Sequence, residues 1–127
     1  MQSPVRQGCP AIRVVMMPRD TNPHGTIFGG VLLSYIDQAG AVEARQLAPR
    51  RFVTIAIDKV EFRQPVYVGD VLSFYTYVEN VGRTSVRVRV EVDAQRHGDP
   101  SQHVHVTTAT IVYVATDEHG SKTPIRP

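Results

Sequence analysis

The stretch Asn22–Asp37, NPHGTIFGGVLLSYID, begins as a glycine-rich turn and ends as an apolar segment with one carboxylate on it. From Gly30 to Leu47 the apolar residues Val31, Leu32, Leu33, Tyr35, Ile36, Ala39, Ala41, Val42, Ala44 and Leu47 cover most faces of a helix, and Glu43, Arg45 and Gln46 turn it polar only late. A helix so apolar at its start is wrapped by other structure, and Pro49 closes it. An ionised carboxylate there is costly unless it is paired, hydrogen-bonded or near water. Asp37 therefore either faces a solvated groove, caps a neighbouring loop, or works.

Before the helix, AIRVVMM (11–17) is a short β-like run ended by Pro18, and RDTNPHG after it is dense in turn formers. After it come four strand-like runs: FVTIAIDKVEF (52–62), DVLSFYTYVENV (70–81), TSVRVRVEVDAQ (84–95) and HVHVTTATIVYVAT (103–116). In the third, Val86, Val88, Val90 and Val92 alternate with Arg87, Arg89, Glu91 and Asp93, one dry face against one wet face. Val81-Gly82-Arg83-Thr84 and His97-Gly98-Asp99 break the runs as hairpin connections, and such short connections make the strands mostly antiparallel. One helix cannot cover both faces of that sheet. The expected fold is α+β, an antiparallel sheet wrapped around one long central helix, with exposed strand edges that favour pairing with a second copy.

A chain of 127 residues, 42% of them hydrophobic, suits one domain with a single core, with residues 1–10 and 118–127 expected as flexible tails. The net charge of +2 announces neither a nucleic-acid nor a membrane surface. Twelve of the 14 cations are Arg, the better fork for phosphate or carboxylate. Cys9 is the sole cysteine, so no internal disulfide forms and a reducing compartment fits. The N-terminal segment lacks a signal-peptide core and no run approaches about 20 apolar residues, so the expectation is a cytoplasmic protein.

Gly29-Gly30 stands at the helix start, where free backbone N–H groups and the positive end of the helix dipole converge, a place for a developing oxyanion as well as for tight packing. Asn22, in the turn before, suits either an Asx turn or the polarisation of a carbonyl or water. Eight positions separate Gly29 from Asp37, about 12 Å along a helix rising about 1.5 Å per residue. One chain's pair cannot touch one carbonyl. Two antiparallel helices related by a two-fold axis would bring each Asp37 toward the other chain's Gly29, giving two equivalent sites at a dimer interface.

The pattern Asn22, Gly25, Gly29-Gly30, Asp37, Phe62-x-x-Pro65, Val68-Gly69-Asp70 and Val81-Gly82-Arg83-Thr84-Ser85 resembles the hot-dog-fold acyl-CoA thioesterases, in the branch of bacterial short-chain and brain-type acyl-CoA hydrolases. The likeness runs from about Met16 to Val114. It implies a sheet of five or six strands around one helix, a homodimer joined into a continuous sheet, and tetramers or hexamers beyond it. It makes Asp37 the catalytic carboxylate, Gly29 the oxyanion amide and Asn22 a polar helper. His24, Gly25, Phe28 and Gly30 would border the thioester, with Phe28 standing where some members carry His. Thr54 sits about where relatives place a hydroxyl, and Gly82, Arg83, Thr84 and Ser85 would border the CoA pantetheine or phosphate. Acyl-CoA is the implied substrate, and neither metal nor organic cofactor is called for.

His103-x-His105 has a spacing that places two imidazoles on one strand face, open to metal or to plain solvent exposure. The GxSxG elbow, phosphate-loop and dinucleotide fingerprints are absent. Within the same fold, a hydratase or dehydratase using His24 is the enzymatic rival, and a non-catalytic acyl-CoA sensor is the rival of another class.

Overall fold

The computed structural model describes residues 8–58 and 60–126, and the first seven residues of the expected N-terminal tail lie outside them. The chain runs β1 (Ile12–Val15), a 3-10 turn (Pro18–Asp20), α1 (Gly29–Leu47), β2 (Arg51–Ile57), β3 (Val71–Val81), β4 (Ser85–Gln95) and β5 (His103–Thr116). Among the described residues these strands form one antiparallel sheet in the order β1-β3-β4-β5-β2.

The valine alternation of β4 does what its period demands: Val86, Val88, Val90 and Val92 are buried under the helix. Leu72 and Phe74 of β3 flank them on one side, and Ala109, Ile111 and Tyr113 of β5 on the other. Each such valine or leucine contributes about 1.5–3 kcal/mol through burial. The helix answers with Leu32, Ile36, Ala39, Gly40 and Ala44, a stripe at helical spacing. Its opposite face, Ser34, Gln38 and Val42, stays open. The expected packing, a curled antiparallel sheet around one helix, is what the structure has, with the sheet covering this one face of the helix. Ala48, the residue before Pro49, is extended at φ −162° and ψ 152°, which stops the helix.

Two further boundaries differ from expectation. β2 ends at Ile57 instead of running to Phe62; a register slip between Thr54 and Ala56 lies within it, and pairing with β5 resumes at Ala56–Val112 and Ile57–Ile111. Beyond Ile57, Asp58 N–H donates to Thr110 O at 2.8 Å and Arg63 N–H to Val106 O at 2.8 Å. The segment expected to be a flexible C-terminal tail is tied down as far as Ile125. Lys122 bridges to Thr116, Thr123 N–H donates to Ala115 O at 3.0 Å and Ile125 N–H to Arg83 O at 2.9 Å, with Ile125 only 1% exposed. One apolar residue among polar ones found a core position.

Candidate active site

Asp37 projects from α1 toward the row Thr54–Tyr113–Val86, where β2, β5 and β4 lie side by side. Thr54 Oγ1 donates to Asp37 Oδ1 at 2.8 Å. Tyr113 Oη reaches the same oxygen at 3.2 Å and the Asp37 carbonyl at 2.7 Å. Tyr113 is 1% exposed. Burial first, then the charge of Asp37, then the hydrogen bond to it, push the phenol well above the ordinary tyrosine range, so it remains a neutral donor. Gly40, one turn beyond Asp37, makes the approach possible: a Cβ there would overlap the Tyr113 hydroxyl. The carboxylate that the apolar helix could not leave bare is thus hydrogen-bonded from the sheet.

The next row of the sheet is Val53–Val114–Ser85, so the 82–85 hairpin stands at the same end of the sheet as Asp37. Gly82 N–H donates to Ser85 O at 2.7 Å to close the turn, and Thr84 O accepts from Ala115. Beside it a cavity of about 460 Å³ is lined by Val81, Gly82, Arg83, Pro124, Ile125 and Arg126, and both arginines are exposed. The hairpin residues named from the sequence therefore stand at the end of the sheet that Asp37 faces, Ser85 one row from Tyr113, with Arg83 open to solvent.

Gly29 stands at the start of the helix, about two turns before Asp37. Phe28 N–H donates to Asp20 O at 2.8 Å and Val31 N–H to Phe28 O at 3.0 Å, while the amides of Gly29 and Gly30 meet no acceptor among the described residues. Gly29 borders a cavity of about 320 Å³ lined also by Thr26, Ile27, Leu32 and the Phe62–Val66 segment. Phe28, 57% exposed, folds its ring over Gly30 so closely that a Cβ there would strike it. Phe28 and Gly30 also border a shallow cleft of about 460 Å³ on the open helix face, with Val31 and Tyr35.

The loop before the helix organises itself. Asn22 Nδ2 donates to Thr26 Oγ1 at 2.8 Å, and its Oδ1 accepts from His24 N–H at 2.8 Å and Thr26 N–H at 3.2 Å. This is the Asx-turn reading of Asn22, with Gly25 taking the positive φ of 89° that the turn requires. The His24 side chain is exposed and is not brought to Asp37 of its own chain.

His103 and His105 do share the outer face of β5, but the carboxylates that sequence distance hid are supplied by β4: His105 Nδ1 lies 3.0 Å from Asp93 Oδ1 and Nε2 3.7 Å from Glu91 Oε1. No group of three or more His, Cys, Asp or Glu side chains fit to hold a metal ion occurs among the described residues.

Tyr113 and Gly40 escaped the sequence reading. A signal existed: alternation along β5 points Tyr113 inward with Ile111, and a buried tyrosine needs a hydroxyl partner. The identity of that partner is a tertiary fact.

One helix laid on a curled antiparallel sheet is the hot-dog fold, and the chain belongs to the thioesterase superfamily, whose family model matches residues 24–101. The acyl-CoA thioester hydrolase YciA of Escherichia coli (strain K12) is 40% identical over 118 residues, covering 91% of this chain and 89% of that one. The crystal structure of Cj0915, a hexameric hot-dog-fold thioesterase of Campylobacter jejuni, superposes with a TM-score of 0.86 at 51% identity, covering 93% of this chain and 90% of the other. That of HI0827, a hexameric broad-specificity acyl-coenzyme A thioesterase, gives 0.89 at 35% identity over 98% and 85%.

Proposed function

We propose that this chain hydrolyses acyl-CoA thioesters to free acid and CoA, in sites shared between two copies. The observation that carries the reading is the Asp37 carboxylate held at Oδ1 by Thr54 at the end of the sheet that bears the 82–85 hairpin, while Gly29 of the same chain, its amide without an acceptor among the described residues, borders a cavity that Asp37 does not line. The chain holds two half-sites. About 12 Å of helix separates them, and a two-fold axis joins the acid half of one chain to the amide half of the other.

The edge strand β2 supports that pairing. Val53, Ile55 and Ile57 are 39%, 59% and 37% exposed on a strand hydrogen-bonded on one side by β5, an apolar edge of the kind that pairs with another copy. Hexamers of the two structural relatives named above make assembly beyond the dimer part of the proposal.

In the shared site the thioester carbonyl points at Gly29 N–H, which stabilises the oxyanion as it forms. Asp37 takes a proton from water while the water oxygen attacks the carbonyl carbon. The C–S bond then breaks and sulfur leaves as the CoA thiol with that proton. In the rival route the carboxylate itself attacks the carbonyl carbon, the C–S bond breaks and CoA leaves as thiolate, and water then cleaves the resulting anhydride, giving the free acid, the restored carboxylate and a proton for the thiolate. Arg83, Thr84 and Ser85 receive pantetheine or phosphate, and Asn22 shapes the turn that presents Gly29. Both routes use water, an acid and an amide dipole, with no metal or organic cofactor.

Incubation with acetyl- to palmitoyl-CoA, following free thiol, tests the reading. Hydrolysis releases thiol, a hydratase alters an enoyl chain without release, and a sensor does neither. Asp37→Asn, nearly isosteric, removes turnover while leaving the fold and CoA binding in place; wild-type turnover in that variant would overturn the assignment.

A further inference from the structure

Two hydroxyls converge on one oxygen of Asp37. Thr54 Oγ1 is 2.8 Å and Tyr113 Oη 3.2 Å from Oδ1, whereas no donor from the described residues reaches Oδ2. The one hydroxyl proton of Tyr113 is shared between Oδ1 and the nearer Asp37 carbonyl oxygen at 2.7 Å. We propose that Tyr113, admitted under the helix by Gly40, is a positioning residue that with Thr54 occupies Oδ1 and leaves Oδ2 as the oxygen that meets water or the thioester.

The proposal rests on the thioesterase reading above and deepens it. An aspartate's terminal torsion is broad, so an exposed carboxylate would exchange its two oxygens freely. Here the exchange is opposed from two strands. Tyr113 is fixed in β5 by pairing with Thr54 on one side and Val86 on the other, and its ring is buried. Its hydroxyl enters the space over Gly40 that any side chain would fill. Being neutral, the phenol donates without competing for protons with the carboxylate it touches. Neither hydroxyl needs to touch substrate. Their effect falls on the orientation of Oδ2 during the chemical step, hence on kcat.

The test begins with wild type and Asp37→Asn on the most rapidly cleaved acyl-CoA of the chain-length series. Thiol release by wild type and its loss in Asp37→Asn secure the thioesterase reading; the opposite result sinks that reading and not the geometry at Oδ1 alone. Tyr113→Phe is then expected to lower kcat about 10- to 100-fold, the worth of a hydrogen bond to a charged group, with KM within about twofold of wild type. Thr54→Val is expected to behave likewise, and Thr54→Ser to restore wild-type kcat. A Tyr113→Phe enzyme with unchanged kcat, or one whose loss lies wholly in KM, overturns the proposal. If Tyr113→Phe does not fold, Thr54→Val decides, since Thr54 lies on an exposed edge strand; unchanged kcat there refutes the clamp on Oδ1.

Discussion

At position 40 two effects of known size oppose each other. Alanine in a helix interior is favoured over glycine by about 1 kcal/mol, while forcing a methyl into the space of the Tyr113 hydroxyl costs about 1–3 kcal/mol. The overlap involves a ring locked between two strands, so it outweighs propensity and Gly40→Ala should lower stability in urea unfolding. In a Tyr113→Phe background the offending oxygen is gone, so the same substitution should be neutral or less costly by about 1 kcal/mol or more. Equal costs in both backgrounds would show that the hydroxyl is not what glycine accommodates. Asp37 itself was legible as an anomaly, a charge on an apolar stretch. Its two hydroxyl partners, 17 and 76 positions away, were not both legible. Thr54 entered through the family resemblance and Tyr113 not at all, because hydrogen-bond partners across a sheet are set by register, which no local pattern encodes.

Among the elements, the strict alternation of β4 and the apolar helix were readable because period two and period 3.6 are local properties. The bulge inside β2 was not, since a bulge depends on the partner strand. The C-terminal segment was misread for a different reason: composition marks DEHGSKTPIRP as surface, yet one isoleucine decides its course. Ile125 fills a place beside the 82–85 hairpin, and its N–H closes onto Arg83 O. Ile125→Ala should therefore cost about 2 kcal/mol or more, read as a lowered Tm. Because the same residue lines the cavity beside Arg83 and Arg126, its loss should also raise KM for acyl-CoA more than it lowers kcat. An unchanged Tm would mean that the segment is a tail after all.

For the whole molecule the question is whether one site needs two chains, and helix geometry permits a decisive genetic test. Asp37→Asn removes the acid. Gly29→Pro removes the amide without breaking the helix: proline is welcome at the first helical position, Phe28 before it already has φ −62° and ψ 130°, and an added Cβ meets the Phe62 ring only at 3.6 Å. Each variant alone should be inactive or nearly so, with loss of an oxyanion donor costing about 100- to 1,000-fold in kcat. Co-expressed, the two should form mixed dimers in which one site carries both defects and the other carries neither. Random pairing makes about half of the dimers mixed, each with one sound site of two, so about one quarter of wild-type activity should return. A site contained within a single chain predicts no recovery, since every site would then carry one defect. Ile55→Lys, placed on the exposed edge of β2, should abolish that recovery by separating the chains, with the loss of activity tracking the shift from dimer to monomer in sedimentation.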